Sequence, residues 1–394
     1  MADKVGSRVN WPLVALAIGA FGIGTTEFMP MGLLPVIAKG VDVSIPTAGL
    51  LVSVYAIGVM VGAPVITLAF SSFGKRAALI LLMAIFTIGN LLSALAPEFY
   101  SLAASRLVTS FSQGAFFGLG AIVAASVVPK EKQASAIATM FMGLTIANVG
   151  GVPAVTWIGQ QVGWRVAFAG TALLGVLTIA SLGLALPKGV PGKVPDVRRE
   201  LRVLVQADVL LALATTVLGA SAMFTLYTYI APVLVNLTGA SESFVTLALV
   251  LIGIGLTIGN GLGGKLADRS PDAAIKSVLA VLAATMVLLP LVLTSHVGAA
   301  IGLLVWGTVT FAMVPPTQMR VMAAASQAPS LASAINIGAF NLGNALGAAV
   351  GGGVISLGLG YAAVPIAGGM LAASGLAMVW LGSRRRTELV SREA

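Results

Sequence analysis

The sequence has little of what most enzymes and soluble proteins depend on. It contains no cysteine, one histidine (His296) and 13 acidic residues among 394. The lack of cysteine excludes disulfide bonds and thiolate chemistry, and one histidine provides no cluster to hold zinc. A membrane-embedded enzyme would show clustered acids, histidines or cysteines, and this chain has none. We therefore expect no metal, no other cofactor and no enzymatic activity.

Charge is scarce and apolar residues are abundant. Charged residues make up 9% of the chain and apolar residues 58%, against about a quarter charged in a typical soluble domain. Mean hydropathy is +1.02. Apolar runs of about 20 residues recur, each long enough to cross a lipid bilayer as a helix. This pattern predicts an all-α membrane protein with twelve spans near 11–37, 47–70, 77–96, 101–128, 134–158, 166–186, 208–236, 243–264, 274–294, 298–317, 330–357 and 361–382.

The basic residues predict the orientation of the chain in the membrane. With a cytoplasmic N-terminus, 19 of the 22 Lys and Arg residues fall on the cytoplasmic side, leaving Lys39, Arg106 and Arg165. Such a bias predicts that both termini are cytoplasmic. The net charge of +9 is spread over short loops, which argues against nucleic acid as a partner. The lipid bilayer is the expected environment.

One long polar connection divides the spans into two sets of six. It predicts an N-terminal bundle at 1–187, a cytoplasmic linker at 188–206 and a C-terminal bundle at 207–394. The halves also resemble each other: Pro35-Val36-Ile37 and Pro232-Val233-Leu234 lie 197 residues apart, as do the loops that begin at Ser71 and Asp268. Parallel six-span repeats are a known transporter plan, so we expect two pseudo-symmetric six-helix bundles.

Glu27 is the one acid well inside a predicted span. An acid near the bilayer centre costs about 2.5–3.5 kcal/mol on insertion scales, so such residues usually face a cavity and have a function. Desolvation favours the protonated form of a carboxylic acid, so a cavity that alternately dries and fills with water would make Glu27 bind and release a proton. The structural alternative is a protonated Glu27 hydrogen-bonded to a neighbouring carbonyl or hydroxyl group.

Arg106 is the natural partner for Glu27. The predicted spans place both residues at depths that differ by a few ångströms, at about 1.5 Å per residue. The side chains would meet if spans one and four are neighbours. The alternative is a cation that extends to the membrane interface.

Uncharged polar residues in the spans offer hydrogen bonds to a neutral or mixed-polarity solute, although such residues also join transmembrane helices. Prolines inside spans leave the carbonyl four residues earlier unpaired, which indicates either polar space or a simple kink. The glycines between 338 and 353 predict close helix packing. The residues expected to bind substrate are Thr25, Thr26, Tyr55, Gln113, Asn148, Tyr227, Tyr229 and Asn341, and further polar positions are Ser53, Ser112, Asn336 and Asn344.

Five segments carry a resemblance that covers nearly all of the chain. They are GTTEFMPMGLLPVIA at 24–38, RLVTSFSQGAFFG at 106–118, GLTIANVGGVP at 143–153, GWR at 163–165 and GGKLADR at 263–269. Together they resemble the major facilitator superfamily, and within it the twelve-span drug:proton antiporters of the arabinose-efflux-permease type. The resemblance implies a monomeric bacterial inner-membrane transporter with two bundles rocking about a central cavity.

The resemblance also implies roles for particular residues. Glu27 resembles the family's first-span acid for drug and proton coupling, and Arg106 resembles its fourth-span arginine. Gly150, Gly151 and Pro153 look like the bent fifth-span motif of exporters, here with Val152 inserted. The family's loop motif, Asp-Arg-x-Gly-Arg-Arg, is replaced by Ser71-Ser72-Phe73-Gly74-Lys75-Arg76, which lacks the acid. The gating residues implied are therefore Gly74, Lys75 and Arg76 in the first half and Asp268 and Arg269 in the second.

The leading hypothesis is proton-coupled efflux of small amphipathic or sugar-like solutes by alternating access, with small molecules and protons as partners. The alternative within transport is a sugar or metabolite uniporter or symporter, which the response of flux to a pH gradient would distinguish. A transporter-like sensor is a further alternative, and solute-stimulated flux would exclude it.

Overall fold

The computed structural model describes residues 10–70, 73–129, 132–187, 206–326 and 329–393, and nearly all of them are helical. Within these residues, twelve long helices follow one another, three of them in two pieces. They are α1 (Trp11–Gly40), α2 (Ile45–Ala69), α3 (Lys75–Leu95), α4 (Phe99–Ser126), α5a (Gln133–Ile146) and α5b (Val152–Gln161), α6 (Trp164–Ala185), α7a (Ala207–Tyr227) and α7b (Ile230–Thr238), α8 (Glu242–Arg269), α9 (Pro271–Val292), α10a (His296–Phe311) and α10b (Val314–Ala324), α11 (Pro329–Ser356) and α12 (Ala363–Glu393).

The predicted all-helical membrane fold is confirmed. Over the described residues, eleven helices are long and apolar enough to cross a membrane. The remaining long helix is α11, with 28 residues, which packs between α2 and α7a. Two predicted boundaries differ by more than five residues: α12 continues to Glu393, and the tenth span continues to Ala324. In the tenth span, Pro315 and Pro316 stand at the start of α10b, where proline is tolerated because the first N–H groups of a helix have no partner.

Capping side chains define where several helices begin. The Asn10 side chain accepts a hydrogen bond from the backbone N–H of Leu13 at 3.4 Å, which starts α1. Ser241, Ser270 and Ser295 accept in the same way from the backbone N–H three residues later, at 3.2, 3.3 and 3.1 Å. These bonds satisfy amide groups that the first turn leaves unpaired, and they fix the starts of α8, α9 and α10a.

The two halves repeat with one offset. Adding 197 to the first residues of α2 and α4, Ile45 and Phe99, gives Glu242 and His296, the first residues of α8 and α10a. The predicted repeat therefore extends over whole helices. Each set of six helices has the same order and similar lengths, as two pseudo-symmetric bundles require.

Three spans are interrupted near mid-membrane. A π-helical turn at Ala147–Gly151 separates α5a from α5b, just before Pro153. The seventh span turns at Thr228 and Tyr229, and the tenth at Ala312 and Met313. Helix α1, in contrast, continues through Pro30 and Pro35. Breaks in membrane helices are tolerated where neighbouring protein or a cavity satisfies the backbone. The turn at Asn148 meets Gly253 of the other half and Tyr229 meets Gly49, whereas Ala312 and Met313 pack against helices of their own half.

The halves contact each other on one side of the membrane. We call the side where α1 begins the terminal side and the side where α1 ends the far side. Toward the far side, the Thr246 hydroxyl on α8 donates to the Gln160 side-chain carbonyl on α5b at 3.1 Å. Ser53 on α2 donates to the Ala345 carbonyl on α11 at 3.0 Å. An apolar cluster that contains Leu34 of one half and Leu249 of the other fills the same region. The far side is therefore closed.

The glycines of α11 allow its close approach to α7a, as predicted. A side-chain carbon placed on Gly347 would lie 2.9 Å from the Thr225 backbone nitrogen and 3.0 Å from the Phe224 Cβ atom. Gly343 and Gly351 face the same helix at similarly short range. Gly353 differs, because no atom lies within 4 Å of the corresponding position. The first three glycines thus set the distance between the two helix axes.

We expect Gly347→Ala to lower the free energy of unfolding by about 1–3 kcal/mol, because a methyl group there forces the two backbones apart. The measurement is thermal unfolding of the purified protein in detergent. Gly353→Ala is the matched control, and it should change stability little. Equal losses in the two variants would contradict the packing role of Gly347.

Candidate functional site

A cavity of about 380 Å³ lies between the two halves. It begins at Glu27, at mid-length of α1, and extends toward the terminal side past Phe117, Phe141 and Gln318. Its volume falls within the usual range for small-molecule sites, about 300–1,000 Å³. Because the far side is closed, a solute could enter or leave this cavity only from the terminal side.

The wall from the N-terminal half combines one acid, two amides and aromatic rings. Glu27, Gln113 and Asn148 provide the polar groups. Phe117 and Phe141 stack with their ring centres 5.2 Å apart and their planes 11° apart. Helices α1, α4 and α5 thus present a carboxyl group beside a flat apolar surface.

The wall from the C-terminal half is uncharged and rich in amides. The Thr216 hydroxyl donates to the Asn336 side-chain carbonyl at 2.7 Å, and the Asn336 amide donates to the Gln318 side-chain carbonyl at 2.6 Å. Asn260 and Asn341 complete the polar part of this wall. Among the described residues that line the cavity, Glu27 is the one with an ionisable side chain.

Glu27 is held by Gln113. The Gln113 amide nitrogen donates to Glu27 Oε2 at 2.9 Å, and the Tyr55 hydroxyl donates to Gln113 Oε1 at 2.6 Å. Both ends of the Gln113 amide are engaged, so its orientation is fixed. Glu27 is 8% exposed, and that exposed part faces the cavity.

Arg106 lies behind this chain of contacts and is fully buried. Its guanidinium carbon lies 4.1 Å from the centre of the Tyr55 ring, within the range of a cation–π interaction. Arg106 Nη1 donates to the Thr26 hydroxyl at 3.4 Å, and that hydroxyl donates to Asn90 Oδ1 at 2.5 Å. In the described part of the chain, the Arg106 Nε and Nη2 atoms have no hydrogen-bond acceptor.

Glu27 and Arg106 do not contact each other directly, although the sequence predicted that their side chains could meet. Helices α1 and α4 are neighbours, as that prediction required, but no ion pair joins the two side chains in the described structure. Tyr55 and Gln113 connect them instead. The two charged groups are therefore arranged at the ends of one polar chain.

Five residues predicted to bind substrate lie outside the cavity wall: Thr25, Thr26, Tyr55, Tyr227 and Tyr229. Thr26 and Tyr55 form the contacts with Arg106 described above. Thr25 donates to the Phe21 carbonyl at 2.7 Å, within α1. Tyr227 is buried in an aromatic cluster with Phe28 and Trp306. Tyr229 donates to the Ala348 carbonyl at 2.8 Å, beside Gly49, where α2 meets α11. Tyr229 therefore takes part in the closure of the far side.

The loop motifs on the terminal side use different residues in the two halves. Gly74 precedes the first residue of α3, Lys75, and Arg76 donates to the Gly183 carbonyl on α6. Asp268 and Arg269 are exposed at the end of α8. Four residues after Asp268, Asp272 forms an ion pair with buried Arg320 on α10b at 3.3 Å. Ser71 and Ser72 lie outside the described residues.

The predicted bend of the fifth span is the π-helical turn. Gly151 packs against Thr25 and Phe21 of α1, whereas no atom lies within 4 Å of a side-chain position on Gly150. Pro153 begins α5b just after the turn. The turn places Asn148 in the cavity wall, and the Asn148 backbone carbonyl meets Gly253 of α8.

Three amide side chains at the candidate site were not predicted. Asn90 on α3 accepts hydrogen bonds from Thr26 and Thr171, at 2.5 and 3.1 Å, and so positions the residue that contacts Arg106. Asn260 and Gln318 line the cavity. Their signal is a lone amide in an apolar helix, but the same signal marks residues that only join helices.

We expect Tyr55→Phe to cost about 1 kcal/mol of folding free energy, because the ring beside Arg106 is kept and one hydrogen bond is lost. Tyr55→Leu should cost more, since it also removes the ring that faces a buried cation. Thermal unfolding in detergent measures both variants. Equal losses would show that the ring does not stabilise Arg106.

The fold and the cavity define a class of protein. Two related six-helix bundles that enclose a solute-sized cavity between them, open to one side of the membrane, are the architecture of a secondary transporter. Comparison with known proteins identifies the family.

The family model for the Major Facilitator Superfamily matches residues 16–348. The chain is 62% identical to the inner membrane transport protein YdhP of Escherichia coli K12, over 97% of this chain and 98% of that protein. It is 34% identical to the putative transporter AraJ of the same strain, over 95% and 96%. It is 32% identical to a chloramphenicol resistance protein of Streptomyces lividans, over 85% and 87%.

A solved structure agrees on the fold. A bacterial homologue of the human lysosomal transporter Spinster, inward-facing and unoccupied, gives a TM-score of 0.77 at 16% identity, over 96% of this chain and 98% of that one. The family model and the 62% identical relative show that the chain belongs to the Major Facilitator Superfamily and is a multi-pass inner-membrane transporter. The predicted family is confirmed, and so is the prediction of a transporter rather than an enzyme.

Proposed function

We propose that the protein exports small amphipathic or sugar-like solutes in exchange for protons, by alternating access. The observation that most supports this proposal is the position of Glu27. In the part of the chain that the structure describes, it is the one ionisable side chain in the cavity wall, where solute and proton would compete for the same polar surface. Burial of an acid so deep in a membrane protein costs free energy, so such residues usually have a function.

The contacts of Glu27 provide a route for coupling. In this structure, in which the far side is closed, the Glu27 carboxyl group accepts a hydrogen bond from Gln113. Gln113 is linked through Tyr55 to Arg106. Protonation removes the negative charge at one end of this chain, which weakens the charge-assisted bond from Gln113. Among the described residues, the Nε and Nη2 atoms of Arg106 have no acceptor, so they can donate to groups that approach when the halves move.

The alternating movement would involve the two bundles as units, 1–187 and 207–394, joined by the linker at 188–206. Helices α2 and α11, and α5 and α8, form the contacts between bundles on the far side. Exchange of these contacts for new ones on the terminal side would close the cavity on the terminal side and open it on the far side. The Asp272–Arg320 ion pair and the Arg76–Gly183 contact lie on the terminal side, and we propose that they take part in that gate.

The orientation of the chain determines which side of the membrane the cavity faces. We propose that the terminal side is cytoplasmic, since Lys75, Arg76, Lys265, Arg269 and Lys276 lie there. The cavity would then load from the cytoplasm, as export requires. Similarity to a chloramphenicol resistance protein supports efflux, and it makes chloramphenicol a reasonable first solute to test.

We expect Glu27→Gln to abolish the stimulation of solute flux by a pH gradient in proteoliposomes, because an amide cannot release a proton. Solute binding should persist, since the amide keeps hydrogen-bonding capacity. Glu98→Gln is the matched control: it makes the same chemical change at an exposed cap, and it should retain coupling. If the solute flux of the wild type is the same with and without a pH gradient, the protein is a uniporter. Full coupling in Glu27→Gln would overturn the role of Glu27.

The lack of cysteine makes orientation directly testable. We expect Thr294→Cys, in the exposed loop between α9 and α10a, to react with a membrane-impermeant maleimide on spheroplasts. Asp268→Cys, exposed at the terminal end of α8, should react only after the membrane is opened. The native chain supplies the background control, since it contains no thiol. The reverse pattern would place the terminal side outside the cytoplasm.

A further inference from the structure

A second cavity, of about 280 Å³, lies on the terminal side of the N-terminal half. We call it the basic cavity, because two cations from the start of α3 line it beside apolar residues from the ends of α4 and α6. Its lining residues are Lys75, Arg76, Val123, Ser126, Val127, Leu186 and Pro187. None of these residues lines the cavity between the halves, so the basic cavity is a separate site.

The second half fills the corresponding place with an ion pair of its own. At the offset of 197 residues, Lys75 corresponds to Asp272 and Val123 to Arg320. Asp272 and Arg320 pair at 3.3 Å and so join the start of α9 to α10b. In the N-terminal half a cation replaces the acid and an apolar side chain replaces the arginine, so this bond cannot form. The basic cavity therefore lacks the negative charge that its counterpart contains.

The positive charge of the basic cavity is not compensated by the residues around it. Arg76 Nη2 donates to the Gly183 carbonyl on α6, which holds the guanidinium in place but is a neutral partner. Among the described residues, neither Lys75 nor Arg76 forms an ion pair, and no acid lines this cavity. Both cations are half-buried. Like charges that are this close in sequence and partly shielded from water repel each other, and an anion between them would remove the repulsion.

The surroundings of the basic cavity indicate what kind of anion fits. Val123 and Leu186 belong to the buried apolar cluster of this half, and Val127 packs against it. Beside the cavity, Leu184 is 90% exposed and Ile122 is 54% exposed, as expected of side chains that contact acyl chains. Basic pockets between membrane helices on the cytoplasmic side, where we place the terminal side, bind anionic lipid headgroups. A ligand with a phosphate group and acyl chains matches both parts of this site.

We infer that the basic cavity binds the phosphate group of an anionic phospholipid. The phosphate oxygens accept from Lys75 and Arg76, and the acyl chains lie against the apolar ends of α4 and α6. The lipid thus joins α3, α4 and α6 on the terminal side, as the Asp272–Arg320 ion pair joins α9 and α10b in the other half. This inference goes beyond solute export and does not depend on it, because the two cavities are separate.

The test is thermal unfolding of the full-length protein, purified in neutral detergent, during titration with three probes. They are dioctanoyl phosphatidylglycerol, dioctanoyl phosphatidylcholine and inorganic phosphate. A ligand that binds only the folded state raises the melting temperature. We expect phosphatidylglycerol to raise it by a few degrees and the other two probes to raise it much less. Phosphatidylcholine has the same chains and a phosphate but no net charge, and inorganic phosphate has charge but no chains.

Two results of this titration would overturn the inference. Equal stabilisation by the two lipids would show that the negative charge is not recognised. Equal stabilisation by inorganic phosphate would assign the cavity to a free anion and not to a lipid. Added salt should weaken the effect of phosphatidylglycerol, because charges near the protein surface are screened. Insensitivity of this effect to salt would also contradict the role of Lys75 and Arg76.

Variants assign the effect to the basic cavity. Lys75→Gln should weaken the affinity for phosphatidylglycerol about fivefold, the effect of roughly one basic residue near an anionic lipid. Lys75→Asp, which introduces the residue type of the second half, should abolish the stabilisation. Lys265→Gln and Lys265→Asp are the matched controls, since Lys265 is exposed near the terminal end of α8 and lies outside the cavity. They should respond like the wild type.

The controls separate a specific site from general attraction. The chain has a net charge of +9, which could draw anionic lipids to its whole terminal surface. Equal losses in the Lys75 and Lys265 variants would indicate that general attraction and would overturn the inference. Each variant is compared with its own melting temperature without lipid, so a change in basal stability does not affect the result. Solute flux is not measured, so failure here is distinguishable from failure of the proposed export.

Discussion

The cost of burying Glu27 and Arg106 in a membrane is the constraint on which the N-terminal half depends. Neither group satisfies the other directly, so the surrounding helices supply intermediates: Gln113 and Tyr55 on one side, and Thr26 and Asn90 on the other. These residues come from α1, α2, α3 and α4. These polar contacts therefore restrict how those four helices can pack, in addition to the apolar clusters between them.

The C-terminal half has the same fold but has apolar residues at the positions that correspond to Glu27 and Arg106. At the offset of 197 residues, Glu27 corresponds to Phe224 and Arg106 to Leu303. Phe224 stacks against Phe28 across the halves, with ring centres 6.3 Å apart. Lys75 and Val123 likewise correspond to Asp272 and Arg320, which form the ion pair on the terminal side. One half thus has charges at mid-membrane and the other at the membrane surface, although both share one helical plan.

The features that could be predicted from the sequence are those that depend only on the contrast between water and lipid. Hydrocarbon demands long apolar helices, and Glu27 stands out because an acid is expensive there. Tertiary adjacency was not predictable in the same way. The spacing of Glu27 and Arg106 gave similar depths, but the insertion of Tyr55 and Gln113 between them depends on side-chain directions across three helices. Asn90 and Gln318 were missed because a lone amide in an apolar helix has the same signature whether it joins helices or lines a cavity.

The polar contacts of the far side and of the cavity wall satisfy the same requirement in different ways. A membrane protein must satisfy its own polar atoms, and the far side does so with bonds that join the halves, such as Thr246 with Gln160. In the cavity wall the bonds stay within one half: Thr216 binds Asn336 and Asn336 binds Gln318, all in the C-terminal half. The amide nitrogens of Asn148 and Asn341 bind their own helices. The two walls of the cavity can therefore move relative to each other without breaking these bonds, whereas opening of the far side must break bonds between the halves.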